Sequence, residues 1–383
     1  MTEAEEHGIC IYHQNQLKLK NVYNAMRVLS LFDGMSCGQI ALKEIGITPE
    51  VYYASEIDKF AIKQTQLNFP NTIQVGDVRK VNVLDLQPID LLIGGSPCTN
   101  LSFIGSRKGL CTKENIEILS LDQYIELKEQ GFEFEGQSYL FWEYMRILTE
   151  IREYNPNILF LLENVEMGKK WESVFNKAIG TQGIHINSSL VSAQSRKRIY
   201  WTNINGGNIP QPKDEGLFLR DILEDEVDEH FFLSEKALKG IELHKKRNKE
   251  KKNGFGADIR NPSDKSQTIR VGGKDVYDLV SIPSRKIIQL NKTNEFGKQP
   301  RQQNRIYDPQ GISPAVLANM SCGSHAALDN FCIRRLTPTE CARLQTIPKW
   351  YKWQCSNTQQ YKMLGNGWTI KVIEHILKRI KES

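Results

Sequence analysis

From Arg27 to Glu163 the chain alternates strand-sized apolar runs with longer stretches of helical spacing, and this alternation constrains its fold more than any other feature. RVLSLF (27–32), VYYAS (51–55), IQVG (73–76), IDLLIGG (89–95) and ILFLLE (158–163) are short and rich in Val, Ile, Leu or Phe. Between them, QIALKEIG (39–46), DKFAIKQTQLNF (58–69) and YLFWEYMRILTEIREY (139–154) place apolar residues at helical intervals. Strand and helix in repetition imply an α/β chain whose mostly parallel, doubly wound sheet carries helices on both faces.

The alternation stops near Gly206. Gly, Pro, Asn and Lys become frequent from there to about Leu336, which reads as a second, smaller domain of irregular strands and long loops. The expected divisions are an N-terminal arm at 1–25, a first domain at 26–205, a second at 206–345 and a C-terminal segment at 346–383. Within that last segment WTIKVIEHILKRI (368–380) has the pattern of an amphipathic helix returning to the first domain. A length of 383 residues suffices for one large core and one smaller.

Composition narrows the class further. Forty per cent hydrophobic and 25% charged residues describe a globular chain, and a net charge of +5 is compatible with a nucleic-acid partner without demanding one. Eight cysteines show no C-x-x-C pair, so neither a zinc site nor a disulfide framework is expected, and the usage fits a reducing cytosol. No apolar run approaches the roughly 20 residues that span a bilayer. The start, MTEAEEHGIC, is acidic and polar rather than basic and then apolar. The expectation is a soluble, cytoplasmic monomer that binds neither metal nor membrane.

LFDGMSCG (31–38) follows the first strand and opens the first helix. Its glycines and small residues let backbone N–H groups approach a ligand at a helix N-terminus. Glu56, at the end of the second strand, stands where a carboxylate accepts from ribose hydroxyls in doubly wound folds. Asp77, ending the third strand, is placed to receive an exocyclic adenine amine. Taken singly, Gly34 and Gly38 also suit a plain tight turn, and Glu56 and Asp77 also suit exposed loops; three strand ends in register favour a nucleotide pocket. The departure from G-x-G-x-x-G disfavours a nicotinamide or flavin dinucleotide.

GGSPC (94–98) follows the fourth strand, bringing Cys98 to the same carboxyl edge, with Pro97 fixing the backbone before it. A lone cysteine is often a small buried hydrophobe, yet this one follows a Gly-Gly-Ser-Pro loop. As a nucleophile it needs an electropositive setting to supply thiolate. LLENVEMG (161–168) puts Glu163 and Asn164 after another apolar run, and SAQSRKRIYW (192–201) offers Gln194, Arg196 and Arg198. These acids and bases fit either an ordinary ion pair or a carboxyl group, held by arginines, that binds an amide-like ring edge.

With these residues in place the chain resembles the cytosine-C5 DNA methyltransferases, in order, from about residue 27 to 380. LFDGMSCG resembles the family's cofactor loop, SEID (55–58) and GDV (76–78) its ribose and adenine contacts, GSPC its catalytic loop and ENV (163–165) its glutamate motif. Gln194, Arg196 and Arg198 supply Q-x-R-x-R, RLTPTECARLQTIP (335–348) resembles the segment closing the recognition domain, and LGNGW (364–368) the terminal cofactor motif. The resemblance implies a Rossmann-like S-adenosylmethionine-dependent methyltransferase sheet with a smaller, irregular, β-rich target-recognition domain at 206–345. It implies S-adenosyl-L-methionine as cofactor, S-adenosyl-L-homocysteine as its product, and double-stranded DNA as partner.

The same resemblance assigns roles. Phe32 would stack near the adenine; Asp33, Gly34, Ser36, Cys37, Asn366 and Trp368 would line the methionine and sugar, with Glu56, Ile57, Asp77, Val78 and Pro97 completing the cofactor site. Cys98 would attack carbon 6 of an extruded cytosine. Glu163 would contact N3 and the exocyclic amine, while Arg196 and Arg198 orient the base and the glutamate. Ser96, Ser102, Arg107, Lys108, Asn164 and Gln194 are expected on the substrate side.

Two features depart from the family. Thr99 and Asn100 follow Pro-Cys where Gln is frequent, and FDG with SAQSRKRIYW is closer to the animal de novo branch and phage-like relatives. Residues 110–137 form an insertion expected to lie beside DNA or to extend the surface. In the middle domain, HKKRNKEKK (244–252) suits phosphate contact or a solvated face, and SQTIRVGG (266–273) and RIYDPQGISPAVLANM (305–320) resemble the scaffold of recognition loops. The rival readings are a cytosine-C5 transfer-RNA methyltransferase, which has less use for a long middle domain, and a catalytically silent DNA-binding homologue, which has no reason to keep Cys98, Glu163 and Arg198 together. An amino-directed enzyme would carry a Pro-Pro-aromatic motif instead of SPC, and a small-molecule methyltransferase would not need 206–334.

Overall fold

The five apolar runs become strands β1 (Arg27–Leu31), β2 (Val51–Ser55), β3 (Ile73–Gln74), β4 (Leu91–Gly95) and β5 (Leu159–Val165), all paired in parallel. The structure is a computed structural model and describes residues 25–98, 100–101, 109–250, 259–269, 279–283 and 331–382. Two further strands, β6 (Ile184–Asn187) and β7 (Lys197–Thr202), complete a seven-stranded sheet in the order β3-β2-β1-β4-β5-β7-β6. β7 runs antiparallel to both β5 and β6. The fold is therefore the α/β, parallel-dominated sheet read from the sequence, with one reversed strand near its edge.

Buried strands explain the continuous apolar runs. Leu29, Leu31, Leu91, Leu92, Ile93, Leu161 and Leu162 have no exposed surface, as strands covered on both faces require. Helices α1 (Cys37–Glu44), α2 (Lys59–Asn68), α3 (Leu121–Glu129), α4 (Phe141–Tyr154) and α5 (Lys169–Ile179) follow or separate the strands. Asp58 caps α2 by accepting from the N–H groups of Phe60 (2.8 Å) and Ala61 (3.4 Å). Gly38 lets α1 approach the sheet closely: a Cβ there would lie 2.2 Å from Ile93 Cδ1.

The chain divides into two compact units, Met1–Leu217 with Ala342–Ser383, and Phe218–Cys341. The second contains α6 (Glu235–Glu250), β8 (Ile259–Arg260), β9 (Leu279–Pro283) and β10 (Phe331–Arg335), which form the three-stranded sheet β10-β9-β8. Its basic run 244–250 lies in α6, a helix that the sequence reading missed. A buried ion pair joins Arg334 to Glu340 (Nη2–Oε1 2.6 Å), and Glu340 also accepts from the N–H of Glu224. The second unit's chain ends at Cys341, within helix α7 (Pro338–Leu344), and α8 (Asn357–Asn366) and α9 (Ile370–Leu377) follow in the first. α9 packs its Ile370, Val372, Ile373, Ile376 and Leu377 face inward against α1. No helix among the described residues is long and apolar enough to cross a membrane.

The insertion does two things at once: 110–137 feeds Leu110, Ile118, Tyr124 and Leu127 into the main hydrophobic core, while Glu114, Asn115, Ile116 and Glu117 extend the surface. The arm at 1–24, residues 251–252 of the basic run, 270–273 and 305–320 lie outside the described residues.

Candidate active site

Register brings the motifs together. Leu31 pairs with Gly94, Gly94 with Leu162, and Gly95 with Glu163. The loops that follow β1 and β4 and the end of β5 therefore share one edge of the sheet, the carboxyl side where doubly wound folds bind ligands.

The loop after β1 is held in an unusual backbone path. Phe32, Gly34 and Ser36 all have left-handed φ values, 59°, 58° and 66°. For Phe32 and Ser36 this is strain, a feature that gathers at binding sites. Glu56 anchors the loop: Oε2 accepts from the Gly34 N–H (2.8 Å), and Oε1 accepts from those of Ile57 (2.7 Å) and Asp58 (2.8 Å). Asp33 Oδ1 accepts from the Tyr52 hydroxyl at 2.9 Å, while Oδ2 is buried without a hydrogen-bond partner. Burial pushes the Asp33 pKa up to about 6, against the pull of the neighbouring hydroxyls of Ser30, Tyr52 and Ser36. Cys37 is pushed up to about 12 by burial, its sulfur accepting from the Trp368 N–H. Asp77 caps the turn Val78–Lys80 and pairs with Arg79, which holds its carboxyl below the usual range.

At the end of β4, Asn164 fixes the approach to the cysteine by donating from Nδ2 to Ser96 Oγ (2.9 Å) and Ser96 O (3.2 Å). Burial pushes the Cys98 thiol up, the negative charge of Glu163 adds to the effect, and Arg198 and Arg196 oppose it. Glu163 is bound on both oxygens, by Arg198 Nε at 2.8 Å and Trp368 Nε1 at 3.1 Å. Arg196 is buried and donates to the carbonyls of Gly367 (2.9 Å) and Gly365 (3.3 Å), tying β7 to the LGNGW motif. Burial and the adjacent Arg198 push its pKa down.

These groups line one cavity of about 540 Å³ within the first unit. It takes in Phe32, Asp33, Gly34, Cys37, Glu56 and Ile57 from the first two loops; Asp77, Val78, Ser96, Pro97 and Cys98 from the next two; and Glu163, Asn164, Arg196, Arg198, Asn366 and Trp368 from the rest. Two expected residues lie elsewhere. Ser36 belongs to the loop after β1 but is fully buried, its hydroxyl accepting from Gln39, and it does not line the cavity. Gln194 is fully buried, its amide O and N without hydrogen-bond partners, and does not line the cavity. Ser102, Arg107 and Lys108 lie outside the described residues.

The cavity also includes residues that sequence reasoning passed over. Arg79 follows Asp77 in the same turn, and Gly136, Gln137 and Tyr139 close the insertion. Lys362 enters from α8, paired with Asp58 at 2.5 Å. The glycines flanking Asn366 were visible inside LGNGW; nothing in the spacing of the insertion signalled its return to the cavity.

A parallel sheet with one reversed strand, an acid-rimmed cavity at its carboxyl edge and a thiol beside a Glu–Arg pair define a Rossmann-like methyltransferase. The chain belongs to the C-5 cytosine-specific DNA methylase family, whose model matches residues 26–382. It is similar to the type II methyltransferase M.Bsp6I of Bacillus sp. (strain RFL6), 26% identical over an alignment covering 94% of this chain and 99% of the relative. It is likewise similar to the orphan methyltransferase M.SPRI of Bacillus phage SPR, 27% identical over 93% of this chain and 97% of that one. In fold it is similar to the S. pombe Dnmt2 methyltransferase (TM-score 0.58, 16% identity, 93% of this chain and 98% of that chain). The Entamoeba histolytica methyltransferase EhMeth gives a TM-score of 0.59 at 15% identity, covering 93% and 98%.

Proposed function

We propose that this protein methylates carbon 5 of cytosine in double-stranded DNA, with Cys98 as covalent nucleophile and S-adenosylmethionine as methyl donor. The observation that carries the reading is the meeting of Cys98, the Glu163–Arg198 pair and the acids Asp33, Glu56 and Asp77 in one cavity. The residues fit the cofactor. The volume suits a ligand of its size, Glu56 and Asp77 suit ribose hydroxyls and the adenine amine, and the unpartnered Asp33 Oδ2 suits a cationic amino group. When bound, S-adenosylmethionine supplies an electrophilic sulfonium methyl group.

The residues then do the following. Cys98, as thiolate, adds to carbon 6 of a cytosine drawn out of the stack. Glu163, oriented by Arg198 and Trp368, would give a proton to N3 as the thiolate adds, neutralising the charge pushed into the ring, and take it back on elimination. Carbon 5, now electron-rich, takes the methyl group; loss of its proton restores the double bond and expels Cys98. The second unit, Phe218–Cys341, would read the flanking sequence, its basic helix α6 supporting phosphate contact. The relatives are bacterial and phage proteins, so the reading places the enzyme in cytoplasm beside DNA.

The test is DNA carrying 5-fluorocytosine, where fluorine cannot leave as the proton does. With S-adenosylmethionine the protein should become covalently trapped, and Cys98→Ala should abolish both trapping and turnover. Turnover by Cys98→Ala, or activity on plain DNA without trapping on the fluorinated form, overturns the mechanism. Activity on RNA alone overturns the substrate.

A further inference from the structure

The turn that carries Cys98 is fastened on both sides, and its far side is held by a residue to which the mechanism above gives no part. Asn100 is buried. Its backbone N–H donates to Ser138 Oγ (3.0 Å), its side-chain Nδ2 donates to the Glu135 carbonyl (3.0 Å), and its own carbonyl accepts from the Gly109 N–H (3.0 Å). The Cys98 carbonyl accepts from the Leu101 N–H at 3.0 Å, so the cysteine and Asn100 belong to one closed turn.

A second observation comes from the opposite strand of this clasp. Gly136 has φ +63°, and a Cβ there would lie 2.6 Å from Asn100 Nδ2 and 3.0 Å from Oδ1. The Asn100 amide thus occupies the space that any side chain at 136 would take. The holding segment and the helices around it are themselves hydrogen-bonded. The Glu135 N–H donates to the Cys111 carbonyl (2.9 Å), and the buried Glu143 of α4 accepts from Tyr124 Oη and Lys128 Nζ of α3, both at 2.5 Å. Gly136 and Gln137 line the same cavity as Cys98.

We propose that Asn100 is a positioning residue for the Cys98 thiol, clasped by Glu135 and Gly136 at the end of the insertion and by Ser138 just after it. The inference rests on the covalent role of Cys98 proposed above. Asn164 ties the near side of the turn through Ser96 and Asn100 ties the far side, so the backbone that carries the thiol is held at both ends. A thiolate adding to a ring carbon needs near-contact geometry, and a misplacement of about 1 Å lowers the rate by about 100-fold.

The experiment uses the full chain in four forms: unsubstituted, N100A, G136A and the double variant. The readouts are the single-turnover rate of covalent trapping on 5-fluorocytosine DNA and the calorimetric Kd for S-adenosylmethionine. N100A should slow trapping by about 10- to 100-fold with the Kd unchanged to within about twofold. G136A should slow it comparably in the unsubstituted background; in N100A the clash with the amide is gone and only the strain of an alanine at φ +63° remains, so the double variant should be slowed by clearly less than the product of the two single effects. A merely structural role would weaken cofactor binding in step with trapping and would make the two effects multiply; either result overturns the proposal. So does trapping by N100A at the unsubstituted rate. If N100A does not fold, G136A decides alone, with its far-ultraviolet spectrum as the folding control: slowed trapping by a folded G136A supports the proposal and trapping at the unsubstituted rate overturns it. Absence of trapping by the unsubstituted protein would instead remove the covalent role of Cys98, and the positioning role with it.

Discussion

Arg198 Nε lies 2.8 Å from Glu163 Oε1 across the antiparallel pair β5 and β7, with the two side chains only 13% and 11% exposed. Trp368 Nε1 holds the other oxygen at 3.1 Å. Two donors therefore fix the orientation of the carboxylate, which under the proposed mechanism would spare it reorganisation when a base is bound.

Removing one member of such a pair strands the other charge in a nearly dry site. Arg198→Met should lower stability by about 3 kcal/mol and abolish methyl transfer. Arg198→Lys keeps the charge but loses the planar geometry, and should recover stability better than rate. The double variant Glu163→Gln/Arg198→Met should regain most of the stability and none of the activity. Urea denaturation beside a tritiated-methyl assay checks this; a double variant as unstable as the single one would show that the ion pair is not the source of the loss.

Asp33 predicts a pH dependence of stability. Its folded pKa of about 6 lies above the ordinary aspartate value of 3.8, so the folded state holds this proton more tightly than the unfolded state. The sign follows: stability from this group is full below about pH 4 and is lost as pH rises through about 6. The penalty above that range is about 3 kcal/mol. Asp33→Asn keeps an acceptor for Tyr52 and cannot ionise. It should melt at nearly the same temperature as the unsubstituted protein at pH 4 and clearly higher at pH 7.5. It should also bind S-adenosylmethionine more weakly, since Oδ2 then offers no charge. Equal melting shifts at both pH values would dismiss the buried-carboxylate account.

Gly95 tests how tightly the site is built. A Cβ at this position would lie 2.8 Å from Trp368 Nε1 and 3.1 Å from Glu163 Oε2, splitting the hydrogen bond between them. Gly95→Ala should stay folded, because the strain falls on one indole and one carboxylate, but should lower kcat by about 10-fold or more. A far-ultraviolet spectrum and kcat measured together decide; full activity would show that the Trp368–Glu163 contact is dispensable.

The sheet was legible because its central strands are buried on both faces, and such strands leave continuous apolar runs. β6 left no such trace: IHIN is four residues long, near the sheet edge, with His185 exposed. Cys98 and Glu163 could be placed on the carboxyl edge because they follow apolar strands; Arg198 lies at the start of the reversed strand β7, and its pairing with Glu163 was expected from the family resemblance. Asn164 and Arg196 were visible as residues but not in what they touch. Their partners, Ser96 and the carbonyls of Gly365 and Gly367, are set by strand register and by the end of a helix 169 and 171 positions from Arg196. Gln194 sits two residues before Arg196 and reads as equally polar, yet its side chain turns inward. The insertion hid its role for a similar reason: its apolar residues are too irregularly spaced to show that they join the main core.

The environment of Cys98 yields a pH profile with a definite direction. Burial and the Glu163 charge raise its pKa, and the two arginines only partly offset them. The resting thiol is therefore more fully protonated at neutral pH than a free cysteine, whose pKa lies near 8.5. Two consequences are measurable. The rate of Cys98 alkylation by iodoacetamide should keep rising beyond pH 8.5 instead of levelling there. The kcat/KM for DNA, which reports ionisations of the free enzyme, should climb with pH across about 6.5 to 8.5 wherever thiolate formation limits it. Charge substitutions should move the alkylation midpoint in opposite directions. Glu163→Gln removes a raising influence and should shift it down, whereas Arg198→Met removes a lowering one and should shift it up. A midpoint below the free-thiol value, or shifts of the same sign in both variants, would mean that these two side chains do not act on the sulfur through their charge.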